Sequence, residues 1–164
     1  MKLKPKRYRL KKTMTKANIN DIKKIRDITG ISVAAVRQAL EEADGKIETA
    51  LEALKKSGAE MAAKKFERET GEGQIFYYIH STGRIGVLLK LLCETDFVAR
   101  TDQFKELGHE LAMHIAALDP QDVEELFTQT YVRDQDMNID TLVKNYISKL
   151  GENIRISEFH RLEI

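Results

Sequence analysis

The sequence has few of the residues that several classes of protein require. Cys93 is its one cysteine, which excludes a disulfide framework or a cysteine-ligated zinc cluster within the chain and favours a reducing compartment. The longest uncharged apolar run is Ile85–Leu89, far shorter than the roughly 20 residues of a membrane span. The basic start is not followed by the apolar region of a signal peptide. We therefore expect a cytoplasmic protein that does not enter a membrane.

Catalytic and ligand-binding motifs are also missing. His109 and His114 are five positions apart, whereas the zinc-protease motif needs two histidines four apart on one helix face. The glycines at 71–73 and 83–86 lack the spacing of a dinucleotide loop, and there is no Walker loop. Cys93 ends an apolar strand, which favours a buried side chain over a nucleophile. We predict that the protein is not an enzyme and holds no metal, cofactor or small-molecule substrate.

The charge is distributed unevenly along the chain. Residues 1–12 contain seven of the 27 basic residues and no acid, so the remainder has 20 basic and 26 acidic residues and a net charge of −6. Such a basic segment can bind the phosphates of RNA or of the ribosome, with an affinity that falls as salt rises. A solvated tail is the alternative. We predict a flexible N-terminal arm over residues 1–17.

Residues 18–58 have the apolar spacing of a small three-helix domain. The first helix has an isoleucine at every third position, at Ile19, Ile22, Ile25 and Ile28, and we expect these four side chains to lie on one face. The predicted helices are one that ends at Gly30, one over residues 33–43 and one over residues 46–57. Ser32 is the expected N-cap of the second helix, and Gly58 is the expected end of the third.

A different pattern follows a predicted linker helix over residues 59–71. The predicted strands cover residues 74–81, 84–93 and 152–164, and the predicted helices cover residues 101–118, 121–127 and 139–150. One face of the second strand is expected to contain Ile85, Val87, Leu89 and Leu91. The alternation in the last strand slips between Ile156 and Phe159, which indicates a β-bulge. We therefore predict an α+β core domain over residues 72–164, with a three-stranded antiparallel sheet and helices on one face.

The segment Glu94–Arg100 joins the second strand to the long helix and is the least ordinary part of the sequence. An aromatic residue, Phe97, follows an acid, Asp96, at this junction. Phe97 can project toward a partner, or it can fill the core while Thr95 or Asp96 caps a turn. The residues alone leave both alternatives open.

The same segment carries a resemblance to a known family. CETDFVARTDQF, at residues 93–104, resembles the signature of elongation factor Ts, the guanine-nucleotide exchange factor of bacterial elongation factor Tu. Residues 29–58 are similar to the N-terminal ubiquitin-associated-like (UBA-like) domain of that family. Residues 78–97 and 110–120 are similar to its core domain, and KLGENIRI at residues 149–156 to its closing strand. Only about residues 1–17 lie outside the similarity.

The resemblance implies a translation elongation factor that binds elongation factor Tu with GDP, displaces Mg²⁺ and so releases GDP for GTP to enter. It assigns the displacement of Mg²⁺ to Thr95, Asp96, Phe97 and Val98. It assigns docking on the partner's G domain to Arg26, Val33, Ala34 and Arg37. Val33 and Ala34 stand where the family usually has two methionines, which implies a smaller docking surface.

The chain has one core subdomain where long members of the family have two and a coiled-coil insertion. Short members pair their core domains, so the resemblance implies a homodimer, and the predicted sheet independently has an edge strand that can pair across a two-fold axis. A ribosome- or RNA-associated adaptor of the same fold without exchange activity is the alternative function. Ubiquitin binding is a weaker third possibility.

Overall fold

The computed structural model describes residues 17–29, 31–65 and 67–164. Residues 1–16 of the predicted basic arm lie outside these ranges, as does Gly30, the predicted end of the first helix. The described chain forms two compact units, which divide between Leu54 and Lys55. No helix of the described part is long and apolar enough to cross a membrane.

The first unit contains α1 (Ile19–Thr29), α2 (Val33–Glu42) and the beginning of α3 (Ile47–Lys65). Its buried core is formed by Ile25, Val36, Ala39, Leu40, Ala43, Ala50 and Leu54. The predicted N-cap is confirmed, because the Ser32 hydroxyl accepts a hydrogen bond of 3.3 Å from the backbone N–H of Ala35. These residues therefore form three helices around one small apolar core, as the spacing predicts.

The isoleucines of α1 do not all face this core. Ile25 is buried, Ile22 is half-buried, and Ile19 is 80% exposed. The physical reason is the helical rotation: three residues advance by about 300° rather than a full turn, so each step of three rotates the side chain by about 60°. The expectation that Ile19 shares the core-facing side is therefore wrong.

The predicted end of the third helix at Gly58 is also wrong. α3 continues through Gly58 to Lys65, so the predicted third helix and most of the predicted linker helix are one helix. A Cβ atom at position 58 would lie 3.2 Å from Oγ of Ser148. Glycine at this position therefore permits a close approach between two parts of the second unit, although glycine within a helix costs about 1 kcal/mol relative to alanine.

The second unit has an antiparallel sheet of three strands in the order β1 (Glu72–Ile79), β2 (Ile85–Cys93) and β3 (Ile154–Glu163). Its remaining helices are α4 (Asp96–Ala99), α5 (Asp102–Leu118), α6 (Val123–Thr128) and α7 (Ile139–Leu150). The long helix α5 packs against β1 and β2. The predicted α+β class and three-stranded antiparallel sheet are confirmed.

Alternate residues of the central strand β2 lie on a buried face and an exposed face of the sheet. Val87, Leu89, Leu91 and Cys93 are buried under the helices. Leu88 and Lys90 lie on the opposite face and are exposed. The predicted bulge is also present, since Lys90 pairs with Glu158 whereas Leu91 pairs with Ile156, which leaves Ser157 as the extra residue of β3.

Candidate functional site

The candidate site is the TDFV segment, which we define as Thr95–Val98. It forms the beginning of α4, a helix of four residues that the sequence analysis did not predict. Thr95 is the N-cap, because its hydroxyl accepts a hydrogen bond of 3.4 Å from the backbone N–H of Val98. A threonine followed by an aspartate in the first turn is the usual start of a helix, so the sequence contained a signal for α4.

Phe97 points into solvent from this short helix. Its side chain is 78% exposed, whereas the next two residues, Val98 and Ala99, are buried in the core of the second unit. The single turn therefore has one face that anchors it and one that presents an aromatic ring. The alternative in which Phe97 fills the core is wrong.

The surface next to Phe97 is a shallow concavity lined by Asp96, Phe97, Arg100 and Thr101. Asp96 and Arg100 form an ion pair across it, with 2.7 Å between Oδ2 and Nη2. Both side chains are well exposed, so the pair contributes little to stability. Their charges are thus available to a partner at small energetic cost.

The TDFV segment and the preceding Glu94 are hydrogen-bonded to the connection between α7 and β3. Glu152 accepts hydrogen bonds from the backbone N–H and the hydroxyl of Thr95, at 3.0 Å and 2.6 Å. The backbone N–H of Asn153 donates to Oε1 of Glu94 at 2.6 Å. Sequence reasoning did not find Glu152 or Asn153, because these contacts join residues 57 and 59 positions apart and no local pattern indicates them.

Cys93 is the last residue of β2, two positions before Thr95, and is buried, as predicted. Its thiol donates a hydrogen bond of 3.1 Å to the backbone carbonyl of Thr95. Burial, aided by the negative charge of Glu152, raises the pKa of Cys93 to about 11. The thiol is therefore protonated near neutral pH and serves as a structural donor rather than a nucleophile.

The predicted docking residues lie at the surface of the first unit. Val33 and Ala34 occupy the first turn of α2, and Arg37 follows one turn later, where it pairs with Glu41 at 2.9 Å. Arg26 lies in the last turn of α1, a helix that packs against α2. The structure therefore places three of the four residues on one exposed stretch of helix.

The two histidines of α5 have different neighbours. The ring of His109 packs against Tyr78, with 5.8 Å between ring centroids. His114 is buried; its Nε2 is 3.0 Å from Oε1 of Gln129, and its Nδ1 accepts from the backbone N–H of Val132. These two contacts place the proton of the neutral ring on Nε2. Burial lowers the pKa of His114. Within the described residues there is no group of three or more His, Cys, Asp or Glu side chains suited to a metal ion.

Comparison with known proteins gives a consistent result. A family model described as "Elongation factor TS" matches residues 94–164, which include the TDFV segment. The chain is 41% identical to elongation factor Ts of Thermotoga neapolitana over 87% of this chain and 94% of that protein. It is 39% identical to elongation factor Ts of Fervidobacterium nodosum, over 87% and 95% of the two chains. It is 35% identical to that of Koribacter versatilis, over 87% and 86%.

Proposed function

The chain belongs to the elongation factor Ts family of translation elongation factors, and we propose that it binds elongation factor Tu carrying GDP and accelerates GDP release. The observation that carries this proposal is the exposed ring of Phe97 on a short helix anchored by buried neighbours. A rigidly mounted aromatic side chain can enter a partner with little loss of conformational entropy. No bond is made or broken in this role, so the protein acts as an exchange factor rather than an enzyme.

The proposed mechanism acts on the Mg²⁺ ion of the partner. In P-loop GTPases, Mg²⁺ bridges nucleotide phosphate and a P-loop hydroxyl and requires near-ideal octahedral geometry. Phe97 inserts between helices of the partner and shifts their ends, while the carboxylate of Asp96 adds negative potential nearby. Mg²⁺ then dissociates, the phosphate charge is less compensated, and GDP leaves. Linkage requires that GDP weaken binding of the exchange factor by the same factor.

We assign docking on the G domain to the exposed surface of α1 and α2. Val33, Ala34 and Arg37 offer a small apolar patch followed by a positive charge, and Arg26 adds a second charge. In this proposal residues 18–58 are a UBA-like docking domain, residues 59–71 a linker that begins with the last residues of α3, and residues 72–164 the dimerisation domain. The docking surface sets affinity, whereas the TDFV segment sets the rate of GDP release.

We further propose that two chains pair through the exposed face of the sheet. Five large apolar side chains are exposed on its strands: Ile75, Tyr77, Ile79, Leu88 and Leu162. Five exposed apolar side chains on one face are unusual on a monomer. Pairing about a two-fold axis would cover this face with the same face of a second chain. Lys90 and Glu158, an ion pair of 3.5 Å on the same face, add complementary charge.

The dimer has a simple test. Sedimentation equilibrium at micromolar concentration should give twice the mass of one chain. Leu88→Asp places a charge at the centre of the exposed face and should give a monomer, whereas Leu118→Asp, a matched change at the end of α5, should leave the dimer intact. A wild-type chain that stays monomeric to tens of micromolar would exclude this interface as a stable one.

The exchange function is tested by following release of fluorescent mantGDP from elongation factor Tu after addition of excess GDP. A small amount of this protein should accelerate release catalytically, and EDTA, which removes Mg²⁺, should accelerate it without the protein. If the protein binds elongation factor Tu or ribosomes but leaves the release rate unchanged, the adaptor function is correct instead. The basic charge of residues 1–12 is the observation that favours ribosome or RNA contact.

A further inference from the structure

The helix that carries Phe97 is too short to be stable by itself. α4 has four residues, and a single helical turn forms few backbone hydrogen bonds for the dihedral angles that it fixes. Its direction therefore depends on contacts to the rest of the unit. Two buried side chains, Val98 and Ala99, hold one face, but apolar contacts are not directional.

Glu152 supplies the directional contacts at the start of α4. Its two carboxylate oxygens accept from both donors of Thr95, at 3.0 Å from the backbone N–H and 2.6 Å from the hydroxyl. Hydrogen bonds to a charged acceptor are shorter and stronger than neutral ones. Because the carboxylate receives both donors, it fixes the backbone and the side chain of the N-cap residue together.

The bond from the Thr95 hydroxyl also determines what that hydroxyl can do next. A hydroxyl has one hydrogen and two lone pairs. With the hydrogen directed at Glu152, a lone pair is free to accept from the backbone N–H of Val98 at 3.4 Å, which is the capping bond of α4. Glu152 thereby orients the cap, and the cap orients the turn that contains Phe97.

In a second contact between the same two segments, the carboxylate belongs to the segment before α4 and the donor to the segment after α7. The backbone N–H of Asn153 donates to Oε1 of Glu94 at 2.6 Å, and Arg68 lies 3.5 Å from the same oxygen. Residues 94–95 and 152–153 thus exchange carboxylate-to-amide bonds in both directions. Gly151 ends α7 in the left-handed region at φ 82°, which lets the chain turn so that Glu152 follows directly.

We propose that these four residues, which we call the 94/152 clamp (Glu94, Thr95, Glu152 and Asn153), set the direction of Phe97 and thereby the rate of GDP release. Glu152 is a positioning residue in this proposal: it acts through Thr95 and does not itself contact the partner's Mg²⁺ site. The proposal rests on the proposed function, because it assigns a role within exchange. It extends the site to a second chain segment, which begins after α7.

The first test is a double-mutant cycle on GDP release at saturating protein. Glu152→Ala should lower the maximal rate about tenfold, because small errors in position are costly in a site that acts by insertion. Glu152→Gln should have an intermediate effect, since the amide oxygen can still accept. In a Phe97→Ala background, Glu152→Ala should cause less than about a twofold further loss, because coupled residues are not additive.

Controls at two other positions make this cycle specific. Thr95→Val loses the hydroxyl that donates to Glu152 and should lower the rate about as much as Glu152→Ala. Glu124→Ala, an exposed glutamate of α6, is the matched control for loss of a carboxylate. Multiplicative losses in the cycle, or a normal rate for Glu152→Ala, would overturn the positioning role.

The second test needs no partner. Amide hydrogen exchange at Thr95 should accelerate about tenfold or more in Glu152→Ala, while the amide of Leu111 in α5 stays protected. If the wild-type chain does not stimulate GDP release at all, the proposed function and this proposal both fail. If it does and Thr95 exchanges equally fast in both variants, only the clamp is wrong.

Discussion

The two units present their candidate functional residues in different ways. Val33, Ala34 and Arg37 project from α2, where their positions follow from an ordinary helix with a local cap at Ser32. Phe97 projects from a single turn whose N-cap is bonded to Glu152, 57 positions away. Residues on a regular helix tolerate changes nearby, whereas a residue on a supported turn depends on distant contacts. We therefore expect affinity to be a local property of the first unit and the rate of release a long-range property of the second.

The largest effect is expected at Phe97. Phe97→Ala should lower the maximal rate of stimulated GDP release about tenfold or more, which corresponds to roughly 1.4 kcal/mol of differential binding. Its melting temperature should change little, because the ring is exposed. Stopped-flow mantGDP release and thermal melting on the same preparation measure both quantities.

Phe104→Ala is the matched control for this substitution. Phe104 is fully buried in the second unit, so its truncation should cost about 3–5 kcal/mol of stability. Asp96→Ala should have a smaller effect than Phe97→Ala on both quantities. If Phe97→Ala released GDP at the wild-type rate per folded molecule, the insertion mechanism would be wrong.

A smaller and different effect is expected at the docking surface. Arg37→Ala should raise the concentration of protein needed for half-maximal release about threefold and leave the maximal rate unchanged, because an exposed charge at the rim of an interface acts mainly on association. Arg37 pairs with Glu41, so Glu41→Ala is the control for loss of that ion pair. A fall in the maximal rate of Arg37→Ala would contradict the division of roles between the units.

We expect low pH to reduce the stability of the second unit through His114, which has no counterpart in the first unit. Burial lowers the pKa of this histidine in the folded state, whereas the unfolded value is about 6.5. The unfolded chain therefore binds more protons below that pH, so the free energy of unfolding of the second unit falls as pH drops from about 6.5 toward the folded pKa. All four histidines lie in the second unit, so this contribution is absent from the first.

Urea unfolding between pH 7.5 and 5 measures the acid effect. His114→Gln, which keeps a donor and an acceptor near Gln129 and Val132, should flatten the pH dependence. His160→Gln, at an exposed position of β3, should not. A pH dependence that persists in His114→Gln would assign the effect to other groups.

Local sequence patterns predict most of the helices and strands, but they do not predict α4, the short helix that carries Phe97. α7 covers residues Ile139–Leu150 as predicted, because apolar periodicity is a local signal, and Gly151 is its C-cap. The end of α3 was misplaced because Gly58 serves a close approach to Ser148, a contact that no neighbouring residue reveals. For the same reason the sequence left open whether Phe97 is exposed.

The site divides along the same line. The aromatic residue and its acidic neighbour at 96–97 are visible in the sequence and could be proposed as a partner-binding segment from the resemblance. Glu152 could not, because its role depends on where the chain after α7 meets the end of β2 in space. A carboxylate that follows a helix-ending glycine is ordinary in sequence, and only its two bonds to Thr95 distinguish it.

The smallest effect is expected from removal of the basic arm. Deletion of residues 1–12 takes away seven positive charges and no residue that the proposed mechanism uses, so GDP release should stay within about threefold of wild type at moderate salt. Binding to ribosomes or RNA should weaken, and the difference between the two proteins should vanish at high salt. Release assays and ribosome cosedimentation at two salt concentrations separate these effects. A collapse of GDP release in the truncated protein at all salt concentrations would place the arm in the exchange surface, and the rate would then depend on three parts of the chain rather than two.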